Sequence, residues 1–481
     1  MKKDYAIVVS IACLTFLFNF IFWGEKMGLN VLLFAIAMVI ALFWNYRPQF
    51  ENRVAQLATT GFLLSAVAVV WSNSLFSKFM FMFSLPILVG AVQANLKFFG
   101  GSFLLYFLNC LESPIHLTQT LKSPNILGGG VFGKFFKLMK AFVIPIMVVP
   151  IFYFIYYIAN PKFAVIGDAF FGKLFKWLTF DWSITRLLFF AFGFIIVAAC
   201  VFKHKLFDFS KSELAKTNEL TTPEHTEDRD DYFRNALLLL VLLNIMLGVN
   251  NVLDVPTVWG YQNVVQNPAE LKMYVHQGTY LLIVAILLAI GVIAVLFKKD
   301  LNFHTKTPTL QLLAFVWIGQ NIFSAISVGS RNWQYIYNCG LAYKRVGVFL
   351  FLMITIVGLI FLFLKVKNKK TFFFVTKRTL WAAYAILLAA SFVNWDVLIT
   401  RFNLTNPVKI GNLDTYFLTR IVSEKNIPVL LEYKDVLIKA GEAKIKMDSM
   451  ANRETSDADY DRNQTDITVD INNKCRRFVE E

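Results

Sequence analysis

The chain has 481 residues, 57% apolar and only 16% charged, with a mean hydropathy of +0.56. Soluble domains average about 45–50% apolar and about 25% charged residues, so a soluble enzyme, a disordered chain and a secreted disulfide scaffold are poor fits. Lys and Arg outnumber Asp and Glu by 47 to 32. These bases punctuate apolar runs, as loops held on a cytoplasmic face do, and no nucleic-acid partner is implied.

A hydrocarbon core about 30 Å thick needs roughly 20 helical residues. The first run, Tyr5 to Trp23, follows Met1-Lys2-Lys3. It exceeds a signal-peptide core and has no small-x-small site before Gly24, so it reads as an uncleaved first span. Further spans are predicted at 27–44, 54–71, 141–159, 183–202, 235–254, 278–297, 309–327, 346–364 and 379–397. The stretch 75–111 is apolar but broken by Pro86, Gln93, Asn95, Lys97 and Gly100-Gly101, and crosses once or twice. The fold class is all-α: a polytopic transmembrane helix bundle of eleven or twelve spans with a short hydrophilic C-terminal segment. Three regions are expected: a transmembrane domain over 1–397, a folded juxtamembrane segment over 398–431, and a charged, partly disordered tail over 432–481. That tail holds twelve acids and nine bases. Within the C-terminal region a helix is expected around 413–424, capped before Pro428, and another at 433–450. The stretch 451–466 has no apolar periodicity and is expected to be mobile.

Loop charge gives the orientation. Lys365, Lys367, Lys369, Lys370, Lys377 and Arg378 stand without an acid among them, and Lys298, Lys299 and Lys306 mark a second basic loop. The hydrophilic segment 203–234 is a third. Placing these in the cytoplasm puts 255–277, 328–345 and everything after 398 on the other side, with the N-terminus inside. The two halves of the chain agree if 75–111 crosses once, which favours eleven spans. Segments 131–140 and 162–182 mix lysines with aromatics. They are either helices lying in the headgroup plane or ordinary span ends.

Most motifs that resemble chemistry fail on inspection. Gly128 to Phe135 nears a phosphate loop, but Phe135 stands where a hydroxyl must hold magnesium, and no strand precedes it. Asp457, Asp459 and Asp461 copy the start of a calcium loop, with Arg462 where glycine is needed and Thr468 where a glutamate is needed. The five histidines are scattered, the five cysteines form no CxxC pair, and no nucleophile elbow occurs. No cofactor or metal site is implied. No Asp or Glu lies deep in a clear span, which weighs against an ion-coupled carrier.

Polar residues gather in one direction only. Asn244, Asn251 and Asp254 share a face of 235–254, and Gln320, Ser324 and Ser327 share a face of 309–327. Beyond them lie Arg331, Tyr335, Arg345, Asp396, Arg401 and Asp414, which the charge-derived topology puts at one membrane edge. Helix association and interfacial anchoring are the weightier reading of such stripes. The same residues carry a resemblance. Asn250-Asn251-x-x-Asp254, the run Arg331 to Arg345 and Asn394-x-Asp396-x-x-x-x-Arg401-x-Asn403-Leu404, with Asp414-x-x-Tyr416, resemble an uncharacterised family of bacterial multi-pass membrane proteins, a domain of unknown function. The likeness covers roughly 235–431, with Ala342 where the family pattern commonly has Thr. It implies a bacterial inner-membrane location and supplies no reaction.

Three functions stay open. The first is non-enzymatic binding of a membrane partner, or of an anionic lipid or envelope ligand, through Arg331, Arg345 and Arg401, whose guanidinium forks suit phosphate or carboxylate. Asp254, Asp396 and Asp414 are then either part of the site or structural counter-ions. The second is a transporter with the polar stripes lining a pathway. The third is an envelope-modifying enzyme with Asp254 or Asp396 as base, and the sequence leans against it.

Overall fold

The computed structural model describes residues 2–121, 149, 153–154, 156–168, 183–203, 218–220, 230–256, 268–297, 300–304, 306–405, 414–439 and 469–476. The segments 131–140 and 451–466, the phosphate-loop and calcium-loop look-alikes, and most of 141–159 and 162–182 lie outside them. The described residues are almost wholly helical, and eight helices are long and apolar enough to cross a membrane. Two further apolar stretches, Ala6–Phe22 and Ile283–Leu296, are shorter. The chain is a polytopic membrane protein. It divides into two compact units, Met1–Lys216 and Thr217–Glu481.

The first unit packs α1 (Lys2–Phe22), α2 (Leu29–Tyr46), α3 (Arg53–Ser72), α4 (Leu75–Ala94), α5 (Phe99–Leu121) and α6 (Ile184–Val201). The interrupted stretch 75–111 is therefore two helices. Pro86 lies inside α4 without ending it, and Asn95 stops that helix in the left-handed region at φ 52°. At Gly90 the two helices touch so closely that an added Cβ would lie 2.7 Å from the Ser102 Cα. Gln93 and Asn109, which look like interruptions in the sequence, have a shared task. The last carbonyls of α6 lack partners within their own helix, and lipid offers none. Gln93 Nε2 donates to the Cys200 carbonyl at 2.7 Å, and Asn109 Nδ2 to that of Ala199 at 2.9 Å. Tyr46 closes the set by donating its hydroxyl to the Val201 carbonyl at 2.7 Å.

The second unit is built on α7 (Asp230–Asp254), α8 (Pro268–Leu296), α9 (Thr307–Cys339), α10 (Tyr343–Lys367) and α11 (Phe372–Ser391). Helix α9 packs against α7, α8 and α10. Its inner face carries Leu310, Ala314, Trp317, Ile318, Ala325 and Val328, all buried. At 33 residues it is about 50 Å long, well over the hydrocarbon thickness of about 30 Å. Residues 328–339, expected as loop, thus extend the helix to a tight Gly340-Leu341-Ala342 turn.

Chain direction puts both kinds of end where side chains meet. At one end Glu219 forms a β-bridge with Lys370, whose Nζ lies 2.5 Å from its carboxylate and holds that carboxyl below the usual range. Lys365, only 1% exposed, donates to the Phe297 carbonyl at 2.7 Å there. His304 stacks on Phe233 at the same end. The basic loop proves shorter than the sequence suggests, since Lys365 and Lys367 end α10, while Lys377 and Arg378 lie within α11. At the opposite end sit Asp254, Arg331 and Arg345.

Helix α11 stops at Ser391, so Asp396 belongs to the first turn of α12 (Trp395–Thr405) and not to the last span. A π-helical turn (Phe417–Ile421) and α13 (Ile427–Glu432) follow. The helix expected around 413–424 ends at Ile421, before Pro428, and a separate helix follows it. Proline lacks only an N–H that the first turn leaves unpaired, and Pro428 sits in the first turn of α13. Ile399, Leu404, Leu418, Val429 and Leu430 form a separate apolar core with Ile336 and Leu341. The segment thereby folds back as a cap on the ends of α9 and α10.

Candidate functional site

The polar stripes on α7 and α9 face each other and close into a ladder. Asn244 Nδ2 donates to the Leu313 carbonyl at 3.1 Å, and Gln320 Nε2 to Asn244 Oδ1 at 3.3 Å. Two turns on, Asn251 Nδ2 donates to the Gln320 carbonyl at 3.1 Å and its Oδ1 accepts from Ser324 Oγ at 2.7 Å. The ladder ends in an ion pair between Arg331 Nη2 and Asp254 Oδ1, with side chains 7% and 9% exposed. Arg331 is therefore matched by an internal carboxylate within the helix seam.

Arg345 is different. Its guanidinium lies 4.0 Å from the centre of the Tyr335 ring, and its Nη1 donates to the carbonyls of Cys339, at 2.9 Å, and Gly340. Those oxygens belong to the end of α9, where a cation is favoured by the exposed carbonyl dipoles. Among the described residues these are its only polar bonds, so its charge is not cancelled by an acid and Nε and Nη2 are uncommitted. Asn332 Nδ2 ties the arrangement down by donating to the Arg345 carbonyl at 2.9 Å.

The cap is clamped to this turn by two contacts. Asn403 accepts from the Leu341 N–H at 2.6 Å and donates back to the Leu341 carbonyl at 2.9 Å, as a paired strand would. Asp396 accepts from the hydroxyls of Tyr343 and Ser423. Two predicted residues stand apart on the cap surface. Arg401 pairs loosely with Glu432 at 3.4 Å, both exposed, and Asp414 accepts from the Phe417 N–H at 3.0 Å as a local cap. Of the three aspartates weighed as counter-ions, Asp254 alone pairs with an arginine of the set among the described residues. Asp396 is satisfied by hydroxyls and Asp414 by backbone.

The family model described as Domain of unknown function (DUF4153) matches residues 6–433. The chain belongs to this family. The DUF4153 match runs through both units, so the likeness noted over 235–431 is part of a longer one that includes the hydrophobic first half. It also covers the cap through α13. No curated protein and no solved structure matches the chain.

Several residues that hold the cap and its turn together escaped the sequence reading. Ser423 and Asn426, whose Nδ2 donates to Thr400 Oγ1 at 2.8 Å, sit in no motif. Lys474 comes from a tail that reads as solvated, yet it is 1% exposed and donates to the carbonyls of Leu418 and Val422 at 3.1 and 2.6 Å. Asn403 had a signal, since it stands in the run Arg401-x-Asn403-Leu404.

Proposed function

We propose that the protein is a non-enzymatic binder of an anionic membrane lipid, held at the cap end of the second unit, and that this end faces away from the cytoplasm. The observation that supports it is Arg345, stacked on Tyr335 and, among the described residues, bonded only to neutral carbonyls through one nitrogen. A guanidinium fixed in this way keeps a fork suited to a phosphate. Lys344 lies beside it in sequence, and exposed Trp333 and Tyr337 sit on the neighbouring helix, as interfacial aromatics do. The orientation rests on the concentration of lysines at the opposite end. Of the residues first considered, Arg331 and Asp254 serve this site as a fastening, and Arg401 with Glu432 as an outer rim.

The transporter reading is less well supported, because the two polar stripes spend their hydrogen bonds on each other and on backbone. Asp254 is likewise engaged by Arg331 and Asp396 by two hydroxyls, which weakens the reading of either as a catalytic base.

Lipid extracted with the protein in mild detergent tests the proposal. Anionic lipid should be enriched over its share of the whole membrane, and Arg345→Ala should remove most of that enrichment. A retained lipid pool identical to the bulk membrane, in both proteins, would contradict it.

A further inference from the structure

An apolar groove of about 400 Å³ opens between α9 and α10. Ala325, Gly329 and Trp333 line one wall, and Phe349, Leu352 and Ile356 the other. Ser330 supplies the one hydroxyl of the lining. The volume is within the range of small-molecule sites, about 300–1,000 Å³. Both walls belong to helices with the length and hydropathy of membrane spans, so hydrocarbon chains are what this groove meets.

The helix register links the groove to the cation above it. Residues 345, 349, 352 and 356 recur at spacings of four, three and four, which is one face of a helix. Arg345 thus stands one turn above Phe349 on the side of the groove. On α9, Trp333 and Tyr337 continue the other wall upward, 52% and 48% exposed. Lys344 and Arg345 form no ion pair among the described residues, so the rim is positive where the floor is apolar.

We propose that this groove seats one acyl chain of an anionic glycerophospholipid whose phosphate is held by Arg345 and Lys344. The inference rests on the lipid-binding reading above and adds that the ligand is recognised by its chain as well as its head. A free phosphate ester would share the head contacts and lack the chain contacts. Gly329 gives a clean way to separate the two. A Cβ there meets the Leu352 and Phe349 side chains at an ordinary 3.7 Å, so a leucine at 329 would start from normal contact with the opposite wall and take up groove volume.

The test is a titration of delipidated full-length protein in micelles, read by native mass spectrometry. Phosphatidylglycerol, phosphatidylcholine with the same chains, and glycerol 3-phosphate are the probes. Wild type should bind phosphatidylglycerol at least about tenfold more tightly than either other probe, a difference of about 1.4 kcal/mol. Gly329→Leu should lose that advantage over glycerol 3-phosphate, and Arg345→Ala the advantage over phosphatidylcholine. Met353→Trp, which narrows the groove from the other wall, repeats the chain test if the glycine variant folds poorly. Should both groove variants keep wild-type affinity while Arg345→Ala loses it, the chain seat is wrong and the headgroup reading stands. Equal binding of glycerol 3-phosphate and phosphatidylglycerol also removes the chain seat. Equal binding of the two phospholipids to wild type overturns both readings.

Discussion

Asp254→Ala is expected to destabilise the second unit by about 3–5 kcal/mol, because it strands a buried guanidinium without its carboxylate. Arg331 and Asp254 are 7% and 9% exposed, so water cannot take the missing partner's place. The other rungs between α7 and α9 are smaller, since interhelical hydrogen bonds in membranes average about 0.6 kcal/mol. Replacing both partners, as Asp254→Leu with Arg331→Met, should recover most of the loss, because an apolar pair of similar volume removes the stranded charge as well. Denaturation midpoints of the single and double variants in micelles measure this. A double variant as unstable as the single would show that Arg331 is held for some reason other than its pairing. An unaffected single variant would remove the pair from the account of stability altogether.

Gly340→Ala should loosen the cap without touching any span. Gly340 has φ +82° with ψ 175°, a region that side chains rarely enter and that costs on the order of 1–3 kcal/mol. An added Cβ would also lie 2.6 Å from Asn403 Oδ1. That contact pushes out the amide which holds both the N–H and the carbonyl of Leu341, at about 1 kcal/mol for each buried hydrogen bond. The expected result is faster proteolysis within 395–439 while the spans remain protected. Asn403→Ala should give a milder version, since it loses the two bonds and keeps the turn. Equal protease resistance in wild type and Gly340→Ala would mean that the cap is not held through this turn.

Much of this architecture is legible in the sequence, and the misses have physical causes. Among the described residues, hydropathy located most of the eight spanning helices, because lipid contact imposes long apolar runs on them. It misjudged where α9 ends, because Arg331, Asn332 and Gln334 read as loop when hydropathy is the guide. Backbone hydrogen bonding does not stop at the hydrocarbon edge, and packing under the cap carries the helix on to Cys339. The polar stripes were visible as stripes, and their spacing was enough to suggest that they join helices. Their partners were not visible, since Gln320 meeting Asn244 is a fact about two helices in contact. Among the charged candidates, the sequence could not separate Arg331 from Arg345. One sits against an aspartate 77 positions away and the other against two carbonyls of its own turn. Lys474 and Ser423 were invisible for the same reason, as each matters only through residues remote in sequence.

The claim that most needs testing is that the cap and its arginines lie on the opposite side of the membrane from the lysine-rich end. Thr405→Cys on the cap and Asn368→Cys after α10 report on the two ends once the five native cysteines are replaced. An impermeant thiol reagent applied to intact spheroplasts should label position 405, and position 368 only after lysis. Labelling of 368 in intact cells, with 405 protected until lysis, would contradict the orientation and move the candidate site to the cytoplasmic face.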